Sequence, residues 1–132
     1  MAHTTTLRVR FGELDSYRHV NHAVYISWFE AARTEALEDS GLGLGGLQDD
    51  GVQLVVTSVD VKYRRAAVAG DECVVETEIG EIRRASTVWH QRVMRGEEVL
   101  VSGEIRIGVC DDTGRPMRPP EGLIEKLAAI GD

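Results

Sequence analysis

Leu7, Val9 and Phe11 alternate with Thr6, Arg8 and Arg10 near the start of the chain, the two-residue period of a half-buried strand. A polar turn follows, and from Asn21 the period changes. Tyr25, Trp28, Phe29, Ala32 and Ala36 recur at helical spacing, with Glu30, Arg33, Glu35 and Glu38 between them. This pattern predicts an amphipathic helix of about five turns. Asn21 is suited to cap its first turn and Gly41 to stop its last.

Beyond Gly51 the pattern is that of long strands. In "VVTSVDVKY", Val55, Thr57, Val59, Val61 and Tyr63 are expected on one face, by the alternation of a strand. "DECVVETEI" and "TVWHQRVM" follow less cleanly, and "EVLVSGEIRIGV" aligns Val99, Val101, Gly103, Ile105, Ile107 and Val109. Turn signals at Ala69–Asp71, Arg95–Glu98 and Asp111–Pro116 make the strand connections short, hence antiparallel. "PPEGLIEKLAAI" opens on prolines that fit a helix's first turn and predicts a short terminal helix. One strand, a long helix and four strands make an α+β fold in which the helix covers a sheet. A single helix covers only part of such a face, so a second copy of the chain is expected to extend the sheet or complete a site.

With 132 residues, no linker and no repeat, the chain reads as one domain, residues 1–132. Apolar residues make up 42% and charged ones 28%, and no apolar run is long enough for a membrane span. Fifteen basic against twenty-two acidic residues give a net charge of −7, which argues against nucleic acid as partner. The start lacks a signal-peptide core, and Cys73 and Cys110 form no CxxC pair; cytoplasmic residence with reduced thiols is expected. Lys62, Arg64 and Arg65 form the one basic concentration, either a solvated rim or a phosphate contact.

Three motifs carry little chemistry. Gly41, Gly43 and Gly46 have dinucleotide-fingerprint spacing, but they follow a helix instead of a strand, so a helix stop and flexible loop are expected. His19, His22 and His90 lack further ligands at metal-site spacing, so no metal is expected, and no other cofactor is called for. No serine occupies a GxSxG elbow. The turn before the helix is different. Asp15 lies just upstream of a helix N-terminus, where free backbone N–H groups favour negative charge and can stabilise an oxyanion. It is either a minimal acyl-transfer site or an ordinary turn aspartate.

The stretch "RFGELDSYRHVNHAVYISWFEAAR" resembles the opening segment of the hotdog-fold acyl-CoA thioesterases of the 4-hydroxybenzoyl-CoA thioesterase type. "VDVKYRRAAVAGDECVVET" and "GRPMRPP" resemble later blocks, so the resemblance spans nearly the whole chain. It implies a hotdog fold, with a long central helix packed on an antiparallel five-stranded sheet, and hydrolysis of an acyl-CoA thioester by a homodimer or homotetramer. On matching positions it implies Asp15 as the catalytic carboxylate and His22 beside the reacting carbonyl. Backbone N–H groups near His22 and Ala23, after Asn21, would form the oxyanion hole, and Glu30 and Arg33 fall on an E-x-x-R pair, with Asn21, Ala23 and Glu30 counted beside Asp15 and His22 as catalytic positions. Tyr25, Tyr63, Arg64 and Arg65 would contact substrate, the arginines through CoA phosphates. The sequence departs from the pattern at Arg18, where glycine is common, and at His22, where asparagine is common. A thiolate leaves readily, its conjugate acid having a pKa of about 8.5 by analogy with cysteine, so one aspartate and an oxyanion hole suffice, with Asp15 as nucleophile or as base. An acyl-carrier-protein thioesterase and a non-catalytic acyl-CoA-binding module are the alternatives.

Overall fold

The computed structural model describes residues 2–131. Its elements are β1 (His3–Arg8), a 3-10 turn (Phe11–Glu13), α1 (His22–Asp39), α2 (Leu44–Asp49), β2 (Gln53–Tyr63), β3 (Glu72–Ile82), β4 (Ser86–Arg95), β5 (Glu98–Cys110) and α3 (Glu121–Ala128). The strands form one five-stranded sheet in the order β1-β3-β4-β5-β2, antiparallel throughout. This is the expected α+β architecture. The expected termini of α1 are also present: Asn21 Oδ1 accepts from the Ala23 N–H at 2.9 Å, and Gly41 takes φ +78° just past the end.

α1 buries Tyr25, Trp28, Phe29, Ala32, Arg33, Ala36 and Leu37 against the sheet. Phe29 has no exposed surface, a burial that contributes about 2–3 kcal/mol. It rests on β5 at Gly103, where an added Cβ would stand 2.8 Å from Phe29 Cε2. The strand therefore lacks a side chain where the Phe29 ring arrives. α3, with Leu123 and Leu127 buried, and Ile130 just beyond it, also buried, close one end, and the Ile79 N–H of β3 donates to the Ile130 carbonyl.

Four expectations are corrected. The first strand ends at Arg8, opposite Glu72 where β3 begins; without further partner strand, Phe11 turns into solvent, 89% exposed. In β2 the register shifts between Val56 and Ser58, a bulge that moves Val55 to the outer face and Val56 to the helix side. A second shift, between Val93 and Met94 of β4, pairs Met94 with Val99 and Val93 with Val101, which takes Val99 out of the inward row. The expected glycine loop contains α2, anchored by buried Leu42 and Leu47 and opened by the bond from the Leu47 N–H to the Gly43 carbonyl.

Candidate active site

Residues 14–20 fold into a tight hairpin: Leu14 bridges Val20 and the Asp15 N–H donates to the His19 carbonyl at 2.7 Å. Its outer arm docks on the segment after β2, with His19 bridging Val68 and the Val20 N–H donating to the Ala67 carbonyl. Asp15 is oriented within this frame. Its Oδ1 accepts from the Tyr17 N–H at 2.8 Å and the His19 N–H at 3.1 Å, while Oδ2 accepts no hydrogen bond among the described residues. The turn requires a left-handed residue at its end, and Arg18 supplies it at φ 63°, the position where the sequence departs from a family glycine.

Asp15, His19, Val20, His22, Tyr25, Tyr63, Arg64, Arg65 and Ala66 line one cleft of about 300 Å³. The fold thus gathers six of the nine expected site residues, drawn from the hairpin, the start of α1 and the end of β2. Tyrosine hydroxyls clamp the walls: Tyr63 donates to the His22 carbonyl, and Tyr25 accepts from the Ala67 N–H, each at 2.9 Å. Burial raises the Tyr25 pKa above its ordinary value, opposed in part by that backbone bond. Tyr25 and Tyr63 also meet edge to face at 5.8 Å.

Asn21 and Ala23 stand beside the cleft, joined by the cap bond. That bond occupies the Ala23 N–H, so of the two expected oxyanion donors only the His22 N–H lacks an acceptor among the described residues. The arginines also differ. Arg65 Nε pairs with Glu98 at 2.9 Å, and Glu98 is shared with Arg95, which pairs in turn with Asp71. Arg64 has no ion pair among the described residues.

Glu30 lies elsewhere, in a second cavity of about 220 Å³ with Arg33, Leu37, Leu54, Val56, Trp89 and Ile107. Arg33, 7% exposed, donates from Nη1 to Gln91 Oε1 at 3.0 Å. Desolvation pulls its pKa below the ordinary guanidinium value, against the opposing field of Glu30. Gln91 was not singled out from the sequence. The available signal was an amide between Trp89 and Val93 in the inward row of β4. Glu13 was missed as well; it joins the hairpin to α1 by accepting from Arg10 N–H and from Trp28 Nε1. His3, Glu35 and Asp39 cluster near the far end of α1, outside the histidines weighed above.

Comparison with known proteins identifies the family. The model of the thioesterase-like superfamily matches residues 9–127. The chain is 32% identical over 123 residues to the acyl-CoA thioester hydrolase YbgC of Escherichia coli O6:H1, covering 92% of both chains. It is 29% identical to the long-chain acyl-CoA thioesterase FadM of Escherichia coli K12, over 93% of this chain and 95% of that one. A solved structure from Thermus thermophilus superposes with TM-score 0.90 at 29% identity, covering 96% of this chain and 98% of that one. The α1-on-sheet architecture is the hotdog fold, and the chain belongs to the thioesterase-like superfamily.

Proposed function

We propose that Asp15 and the first N–H of α1 carry out the hydrolysis in an acyl-CoA thioester hydrolase. The activity follows from family membership and from relatives near 30% identity across almost the whole chain; the assignment of residues is our reading. The observation that carries it is the Asp15 carboxylate, held on Oδ1 by two backbone N–H groups and lining the same cleft as His22. With the thioester carbonyl directed at the His22 N–H, Oδ2 takes a proton from water as the water oxygen attacks the carbonyl carbon. The oxyanion forms against the N–H group. Its collapse breaks the C–S bond and releases CoA thiolate, which recovers the proton. The base role is favoured over direct attack because a carboxylate pinned on one oxygen orients a water well with the other.

Arg64 is the phosphate contact we favour, since Arg65 is already paired with Glu98. The alternative acyl-carrier-protein activity would leave a CoA-phosphate contact idle. A thiol-release assay over a panel of CoA esters tests the reading. Arg64→Ala is expected to raise KM for CoA esters several-fold while sparing the matching pantetheine esters, and Arg65→Ala to have the smaller effect. Equal losses on both ester types would assign Arg64 a structural role. The free thiols Cys73 and Cys110 support a reducing, cytoplasmic setting, and an assembly of at least two copies is part of the proposal.

A further inference from the structure

His22, Ile26, Glu30 and Arg33 follow one another along one side of α1 at spacings of four, four and three, which puts them on a common face. The helix side of β2, read from its pairing with Val101, Gly103, Ile105, Ile107 and Val109, presents Tyr63, Val61, Val59, Val56 and Leu54. The Tyr63–His22 bond joins the two elements at the Asp15 end, and Leu54 and Val56 meet Arg33 at the other. The strip between these ends, along which Ile26 and Val59 are each 41% exposed, would join the two cavities as one apolar groove.

Arg33 ends this groove in an unusual state. It is buried, among apolar side chains, yet no carboxylate lies within ion-pair distance among the described residues. Its one hydrogen-bond partner among the described residues is the neutral Gln91, whose amide is spent on the Phe29 carbonyl and Thr77 Oγ1 at 2.9 and 3.0 Å, so that Oε1 faces the guanidinium. A guanidinium carries five N–H donors, and one bond to a neutral acceptor compensates little of its desolvation. Glu30 shares the cavity but is exposed to water, where its charge is screened.

We infer that the groove receives the acyl chain, and that Arg33 binds an oxygen function, carboxylate or hydroxyl, at the chain's far end. The inference rests on the hydrolase reading, which sets the thioester at the Asp15 end. His22 and Arg33 are about 16 Å apart along the helix by its rise per residue. The arginine side chain leans back toward the N-terminus. At about 1.2 Å per extended bond, the gap suits an acyl group of roughly eight to ten chain atoms. A terminal methyl leaves the guanidinium donors unpaired; a carboxylate pairs with them, and a hydroxyl accepts from Arg33 while donating to Glu30.

The test uses non-hydrolysable S-alkyl-CoA thioethers with chains of about eight to ten atoms, ending in carboxylate, hydroxyl or methyl, titrated calorimetrically into the wild-type chain. One or both oxygen-ended probes are expected to bind at least about tenfold tighter than the methyl-ended probe, the scale of a hydrogen bond to a charged group. Arg33→Met is expected to abolish that preference and Arg33→Lys to keep part of it. A wild-type chain that binds the methyl-ended probe as tightly as both others overturns the inference. If Arg33→Met does not fold, the wild-type series and Arg33→Lys still decide. Because the probes are not cleaved, absence of thioester turnover would count against the Asp15 mechanism alone, leaving the preference at the groove's end to be read separately.

Discussion

Arg18 holds a backbone conformation that a Cβ disfavours, with φ 63° at the turn that presents Asp15. A left-handed non-glycine residue costs on the order of 1 kcal/mol or more, and the hairpin bonds around it outweigh that cost. Arg18→Gly relieves the strain but adds unfolded-chain entropy of about 0.5–1 kcal/mol, so its melting temperature should equal or slightly exceed that of the wild type. Arg18→Val places a β-branched residue there and should destabilise by about 1–2 kcal/mol, several degrees in a thermal melt. Equal melting temperatures for the two variants would show that the turn tolerates any residue. The strain is local, yet it bears on function because the same turn directs the His19 and Tyr17 N–H groups at the carboxylate.

α1 joins the chemistry to the core: its first residue faces the cleft and its middle rests on the sheet. Asn21→Ala removes the bond to the Ala23 N–H and should cost about 0.5–2 kcal/mol, read as a lower midpoint in urea with unchanged slope. Wild-type stability would mean that solvent caps the helix equally well. This element was legible in the sequence, because aromatic and alanine positions kept one helical period and both termini carried their own residue chemistry. The hairpin's importance was legible from Asp15 and the residues around it. The faces of β2 and β5 were not, since a bulge leaves no residue signature strong enough to reveal a shift of register at Thr57 or Leu100. The second cavity was hidden for a related reason: Arg33 and Gln91 are 58 positions apart, and only folding opposes them. Glu30, expected beside Asp15, is separated from it within one chain by two turns of helix, a distance that its E-x-x-R position does not disclose.

At the scale of the molecule, the sheet has two unlike edges. β1 is six residues long, whereas β2 is eleven and uncharged from Gln53 to Val59. Val55, Val56 and Val59 on that edge are 43%, 44% and 41% exposed, a long apolar edge of the kind that proteins ordinarily cover. A second copy pairing along β2 would bury it and roof the groove beside α1. Light scattering in dilute buffer is expected to give a dimer or tetramer, and a charge placed on the edge by Val56→Lys to shift the population toward monomer with lower turnover. A monomeric wild-type chain that turns over substrate would refute the shared-site assembly. No helix among the described residues is long and apolar enough to cross a membrane.

The central claim is that Asp15 acts chemically and is not merely a turn former, and turnover by Asp15→Asn tests it most directly. Asparagine keeps an oxygen acceptor for the Tyr17 and His19 N–H groups, so the hairpin should survive, while the group that receives the proton is lost. kcat for a CoA ester is predicted to fall by on the order of 10² or more, with ester affinity and oligomeric state retained. A folded, assembled Asp15→Asn chain that hydrolyses the ester at near wild-type kcat would contradict the account.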